Sequence, residues 1–291
     1  MMRQNKNSLP VAPLLVAQDL SAIGSLSLQV ALPILSAFDL PLAALPTNLF
    51  STQTEGFNPP AAAKIAPWLL ATFHHWQQQK LTFSGLLLGY LGTNDLVAII
   101  QQLVARQSLP TIIFDPVMAD QNALYPDLPA DYPYHLAKLL PYATVITPNL
   151  TEAQLLTGIT VGTTPTQNEQ YQLLKALEQK LSAHGHAVIT SVVQQQQIGC
   201  IWLTHGRLQF SGYPRLPGHF YGSGDVLTAL LTGFLQHGEG LPTAIKYAVN
   251  GTFLALQQTA HSQRERRYGI ILSDLLFATG QYLRGGQFLT K

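Results

Sequence analysis

The most suggestive chemistry lies in Gly222-Ser-Gly-Asp225, which precedes an apolar helical stretch carrying Val226, Leu230, Leu231 and Phe234. Glycines there let the backbone turn tightly and aim free N–H groups outward. With the positive end of a helix dipole they form a nest for an anion. Asp225 would stand beside that anion with a proton-accepting oxygen, which suits phosphoryl transfer to an alcohol. The competing reading is an ordinary helix N-cap, where Asp and Gly are common. No Gly-Lys-Ser/Thr follows, so this is not a Walker A loop, and the third glycine of a dinucleotide fingerprint is missing. Two further acids draw notice. Asp115 closes an apolar run and is followed by Pro116-Val-Met, and Glu152 sits one turn into a helix beginning after Asn149. On one rim they suit Mg²⁺, which uses few carboxylates and keeps several waters. Singly, Asp115 reads equally as a turn residue and Glu152 as a partner of the helix dipole.

The elements that must position these groups are legible as an alternation. Leu14–Ala17, Leu42–Thr47, Leu86–Gly89, Thr111–Asp115, Thr144–Thr147 and Ala187–Thr190 are short and apolar on both faces, as buried parallel strands are. Ala61–Gln79, Asn94–Arg106 and Thr166–His184 read as helices, the last opened by the capping box Thr166-x-x-Glu169. Gly199–Leu203 and Arg207–Ser211 read as an edge hairpin, and Gly222–Gly238 and Leu241–Gln257 as apolar helices. The expectation is a doubly wound, mostly parallel α/β sheet with helices on both faces. Ligands then bind beyond the carboxyl ends of the strands, on the rim formed by Gln18-Asp19, Thr47-Asn48, Gly89-Tyr90, Asp115, Thr147-Pro-Asn149 and Thr190-Ser191. Ala119–Pro133, rich in Pro, Asp and Tyr, has no convincing element and reads as a binding loop or lid.

Composition excludes several classes. The 291 residues carry 16 Lys+Arg against 15 Asp+Glu, a net charge of +1, which gives no electrostatic case for nucleic acid or an anionic membrane. Hydrophobic residues make up 47%, which excludes disorder, and no apolar run reaches a membrane span. The single cysteine, Cys200, rules out an intrachain disulfide and fits a reducing, cytoplasmic setting. Arg3 and Lys6 before Leu9–Ala17 loosely mimic a signal peptide, but two prolines interrupt it. The preferred reading is a loose tail, residues 1–13, before a single domain, residues 14–291. The histidines show no metal-ligand spacing, and no Gly-x-Ser-x-Gly elbow supports a hydrolase.

Taken in order, Asp115-Pro-Val-Met118, Thr147-Pro-Asn-Leu-Thr-Glu152 and Gly222-Ser-Gly-Asp225 resemble the signatures of the ribokinase superfamily, and more closely its vitamin-kinase branch. Pro46-Thr-Asn-Leu-Phe-Ser51 and Gly89-Tyr-Leu-Gly-Thr93 are similar to the pyridoxal kinases of that branch, whereas Gln18-Asp-Leu-Ser21 partly resembles its hydroxymethylpyrimidine kinases. The resemblance covers roughly Leu14 to Gln257. It implies ATP-dependent phosphorylation of a hydroxymethyl group on a B6 vitamer, with hydroxymethylpyrimidine, or a non-catalytic vitamer- or nucleotide-binding role, as alternatives. Asp225 then matches the base, and Gly222, Ser223 and Gly224 the anion hole. Asp115 and Glu152 match the pair that organises Mg²⁺, mostly through water. Thr147 and Asn149 fall by the phosphates, and Thr190, Ser191, His219, Phe220 and Tyr221 on the adenine side. Asp19, Ser21, Thr47 and Tyr90 fall where the family holds its ring substrate, and Ala119–Pro133 matches a flap that excludes water. A monovalent cation and a homodimer complete what the resemblance implies. Departures from the family are Thr190-Ser191 and His219-Phe220, where pyridoxal kinases often carry a Lys and an Arg-Gln-Pro stretch, and Ser223, where Thr is common.

Overall fold

The computed structural model describes residues 12–289; the expected tail at residues 1–13 falls almost wholly outside them. Alternating apolar residues build one nine-stranded sheet. Its strands are β1 (Leu14–Ser21), β2 (Leu42–Phe50), β3 (Ala62–Ala63), β4 (Gly85–Leu88), β5 (Ile112–Phe114), β8 (Val145–Ile146), β9 (His186–Gln194), β10 (Gln197–Thr204) and β11 (Arg207–Pro214). A separate two-stranded ribbon pairs β6 (Ala119–Asp120) with β7 (Ala123–Leu124). The sheet order is β11-β10-β9-β8-β5-β4-β1-β2-β3. Its six central strands, β9 to β2, run parallel; β3, β10 and β11 close the edges antiparallel. The chain order reverses between β1 and β4, and such crevices at strand ends are where open α/β sheets bind ligands.

Because side chains alternate along a strand, each strand feeds two cores. Leu15, Leu86, Leu88, Ile112, Phe114, Ile146 and Ile189 face one core with α2 (Ala66–Gln78), α3 (Asn94–Arg106), α4 (Tyr132–Leu136), α5 (Leu150–Thr157) and α6 (Gln167–Glu178). Leu14, Val16, Leu87, Ile113, Val145 and Val188 face the other with α1 (Leu28–Ala37), α7 (Ser223–Gln236), α8 (Leu241–His261) and α9 (Ser273–Leu283). Cys200 is free and buried in this second core.

Most expected elements are present, with shifted ends. α3 spans the residues expected of it. α2 starts at Ala66, because Pro67 sets its first turn and Ala62–Ala63 are taken by the edge strand. α6 opens on the expected Thr166–Glu169 capping box but ends at Glu178, short of His184, whose φ of +65° no helix accommodates. Ala119–Pro133, expected to lack regular structure, holds the β6–β7 ribbon and the start of α4. Among the described residues no helix is long and apolar enough to cross a membrane.

Candidate active site

The carboxyl ends of the parallel strands open into a cavity of about 220 Å³. Along its rim, β9 delivers Thr190 and Ser191, and the turn after β8 delivers Thr147 and Asn149. Asp115 follows β5, Tyr90 follows β4, and Asp19 lies on β1. From the second core, α7 points its N-terminus at the middle of this row. Fifteen of the seventeen expected residues line the cavity; the other two, Ser21 and Thr47, lie behind the wall, 1% and 0% exposed. Thr47 is not free to bond a ligand with its proton, because its hydroxyl donates to the Tyr90 carbonyl at 2.7 Å. It fixes the Tyr90 turn instead, beside Asn48, which donates to the Leu91 carbonyl at 3.1 Å.

The backbone has the turn that such a nest requires. Gly222 caps α7 at φ +88°, and an added Cβ would come 3.1 Å from the Ser25 carbonyl. No side chain caps α7, so the N–H groups of its first turn face the cavity without an intrahelical partner. Asp225, in that turn, accepts the Ser27 N–H through Oδ2 at 2.9 Å. Burial pushes its carboxyl up to about 8, the charges of Asp19 and Asp115 push the same way, and the Ser27 N–H opposes them. Asp19 is likewise pushed up by burial, to about 6. Burial and the Asp19 charge raise the Tyr90 phenol.

Asp115, 6% exposed, accepts a hydrogen bond from Thr228 Oγ1 at 3.1 Å, and burial raises it to about 7. Glu152, 3% exposed, accepts three backbone N–H groups: Met118 at 3.0 Å, Ala119 at 3.4 Å and Asn149 at 2.8 Å. Burial, then the charge of Asp115, still raises it. The capping box Asn149–Glu152 thus does two jobs, closing the first turn of α5 and lacing it to the chain after β5. Asn149 Nδ2 adds a bond to the Ala119 carbonyl at 2.7 Å. Two buried carboxylates, the charge of one raising the other, are the donor chemistry a hard dication satisfies. Among the described residues no group of three or more His, Cys, Asp or Glu is placed to hold a metal. A pair of carboxylates suits a dication that keeps several waters, as Mg²⁺ does.

Leu26, Ser27, Phe50, Gln53, Thr54, Glu55, Val117 and Thr228, which also line the cavity, were not singled out in the sequence, whereas Asp120 and Tyr125 come from the expected lid Ala119–Pro133. Thr228 had a signal, three residues beyond Asp225 on the same helix face. Ser27 acts through its backbone, which no side-chain pattern reports. The loop 51–61 arrives from the β2 end, and there it meets the stretch 219–221. Glu55 Oε2 lies 3.9 Å from His219 Nε2, and a Cβ on Gly56 would sit 3.4 Å from the Tyr221 hydroxyl. The stretch expected on the adenine side thus makes its contacts over the β1–β2 half of the cavity.

The phosphomethylpyrimidine kinase family model matches residues 77–268. The pyridoxal kinase of Lactobacillus plantarum is 40% identical, with a TM-score of 0.90 over 94% of this chain and 98% of that one. A putative phosphomethylpyrimidine kinase from Bacteroides thetaiotaomicron, crystallised with pyridoxal, is 28% identical, with a TM-score of 0.85 over 93% and 96%. Among curated proteins, pyridoxal kinase of Arabidopsis thaliana is 28% identical over 67% of this chain and 65% of its own length. The chain spans about half to two thirds of the length of the first curated relatives it matches. With the family model covering well over half of the residues, this chain belongs to the phosphomethylpyrimidine kinase family, within the ribokinase-like superfamily.

Proposed function

We propose that the chain phosphorylates the hydroxymethyl group of pyridoxal and related B6 vitamers, with ATP as donor. The observation that carries this reading is one cavity in which a carboxylate, Asp225, stands in the same helical turn as unpartnered N–H groups, facing the buried pair Asp115 and Glu152. The similarity to the Lactobacillus plantarum pyridoxal kinase over nearly the whole of both chains supports the choice of ring.

In this reading the hydroxymethyl oxygen attacks the γ-phosphorus of ATP, the bond to the β-phosphate oxygen breaks, and ADP leaves. Asp225 takes the hydroxyl proton. Its raised pKa makes it a stronger base than an exposed aspartate once ionised. The first N–H groups of α7, at Ser223, Gly224 and Asp225, stabilise charge on the transferred group. Thr147, Asn149, Thr190 and Ser191, on the β8–β9 side, hold the nucleotide. Asp19 and Tyr90 hold the ring on the β4–β1 side, with Thr47 fixing the Tyr90 turn from behind. His219, Phe220 and Tyr221 roof the ring, given the contacts of His219 and Tyr221 with loop 51–61. Asp115 and Glu152 would hold Mg²⁺ largely through water, and a dication there supplies positive charge to the phosphates. A cytoplasmic homodimer belongs to the same reading, supported by the single free cysteine and by the family resemblance.

The family's own description names a pyrimidine kinase, so the ring is the choice to test. An ATP-coupled assay with Mg²⁺ should be run side by side on pyridoxal, pyridoxamine and hydroxymethylpyrimidine. The expected result is a clear preference in kcat/KM for a pyridine vitamer. Preference for the pyrimidine would transfer the chain to the other branch, and binding without turnover of any of the three would make it a sensor.

A further inference from the structure

The segment Glu265–Ile270, between α8 and α9, supplies no residue to the cavity wall, yet three wall-forming loops end on it. The turn before α1 is the first: Ser25 N–H donates to the Tyr268 carbonyl at 2.9 Å, and Ile270 N–H returns to the Ser25 carbonyl at 3.2 Å. Loop 51–61 is the second: Gln53 Nε2 donates to the Arg267 carbonyl at 2.6 Å, and the Arg267 guanidinium lies 4.8 Å from the centre of the Phe57 ring. The third is loop 215–222, and here the whole grip is one side chain. Arg266 Nη1 donates to the Pro217 carbonyl at 2.6 Å, and its guanidinium lies 4.1 Å from the centre of the Phe220 ring. Gly218 packs beneath it, where a Cβ would come 2.3 Å from Nη1. Among the described residues Arg266 makes no ion pair with a carboxylate, so its charge is committed to this loop.

Phe220 lines the cavity on the same ring that Arg266 covers. Its loop then joins loop 51–61 through His219 and Glu55, over the β1–β2 half. We propose that Arg266 is a positioning residue for the ring substrate: it touches neither substrate, and it fixes Phe220 and the Pro217–Tyr221 roof so that the cavity closes on the vitamer. This rests on the kinase reading above. A guanidinium suits the task because it stacks flat on a ring while its edge donates to a carbonyl, which an ammonium does less well.

Three variants test it: Arg266→Met, which keeps bulk without charge or donors; Arg266→Lys, which keeps the charge; and Arg207→Met, a control at the start of β11. The KM for pyridoxal, the KM for ATP and kcat are compared, together with hydrogen exchange of the unliganded proteins. Arg266→Met is expected to raise the pyridoxal KM about tenfold, with kcat and the ATP KM within about twofold. Its amides at 218–222 should exchange faster, and those of β9 should not change. Arg266→Lys should fall between it and wild type, and Arg207→Met should match wild type. A wild-type pyridoxal KM in Arg266→Met, an equal rise in both KM values, or unchanged exchange at 218–222 would overturn the assignment. Should the wild type phosphorylate no vitamer, the kinase reading fails, and the exchange comparison still decides whether Arg266 holds the roof.

Discussion

Asp225, proposed as the proton acceptor, has an unfavourable address. Burial and two neighbouring acids raise it to about 8. As a base it must be ionised, so kcat/KM should climb with pH through that value and level off above it. The same shift has a consequence for stability. The folded state keeps a proton that the unfolded chain releases near 4, so stability declines as pH rises from about 4 to about 8. Asp225→Asn removes that decline. Thermal melts should show the variant a few degrees more stable than wild type at pH 8, with the gap closing toward pH 4. A variant less stable at pH 8 would show that the carboxylate is not strained there. Glu152 behaves differently. Both its oxygens accept N–H groups, and an amide would set N–H against N–H on one side. Glu152→Gln should therefore cost about 1–3 kcal/mol as well as raising the Mg²⁺ concentration for half-maximal rate; an unchanged melt and metal titration would remove both roles. These acids and the glycines were legible in sequence because their types and spacing carry the chemistry. Ser27, Arg266 and Gln53 were not, since each acts through a backbone group or a contact set by distant folding.

At the scale of elements, the approach of α7 to the rim makes the nest. Gly222 at φ +88° permits it, and a side chain there meets the Ser25 carbonyl. Gly222→Ala should lower stability by about 1–3 kcal/mol and reduce kcat more than the KM for either substrate, because the misplaced amides act on the transition state; melts and steady-state kinetics would check both. The elements read correctly were those with a clean period or cap, such as α3 and the start of α6. α1 escaped notice because Leu28–Ala37 is apolar almost throughout and holds Pro33, which argues against a helix in isolation. Burial of Leu28, Val30, Ala31, Ile34 and Leu35 in the second core overrides that preference. α9 lies beyond the reach of the family resemblance, which ended near Gln257. The β6–β7 ribbon is too short to show alternation; the backbone N–H of Asn122 reaches Thr151 Oγ1 at 3.1 Å and ties the ribbon to α5.

Across the whole molecule, one sheet divides two cores, and the site draws on both. Asp115 and Glu152 belong to elements of the sheet and the first core, Asp225 to a helix of the second, and Thr228 of that helix links the two by hydrogen bonds with Asp115 and Thr147. Phe288, 1% exposed, helps close the second core: it packs edge-on to Phe234 with ring centres 4.8 Å apart, beside Tyr247 and Tyr282. Phe288→Ala should cost about 3–5 kcal/mol, visible as a lower melting temperature, while both KM values stay near wild type; a change in KM without loss of stability would contradict this separation. The central claim, that Asp225 is the base of a vitamer kinase, is tested most directly by Asp225→Asn. Its turnover of ATP with pyridoxal is measured beside its affinity for pyridoxal. We predict a fall in kcat of about 10²–10⁴-fold against an active wild type, with the dissociation constant within about threefold. Turnover by the variant at the wild-type rate would contradict the account.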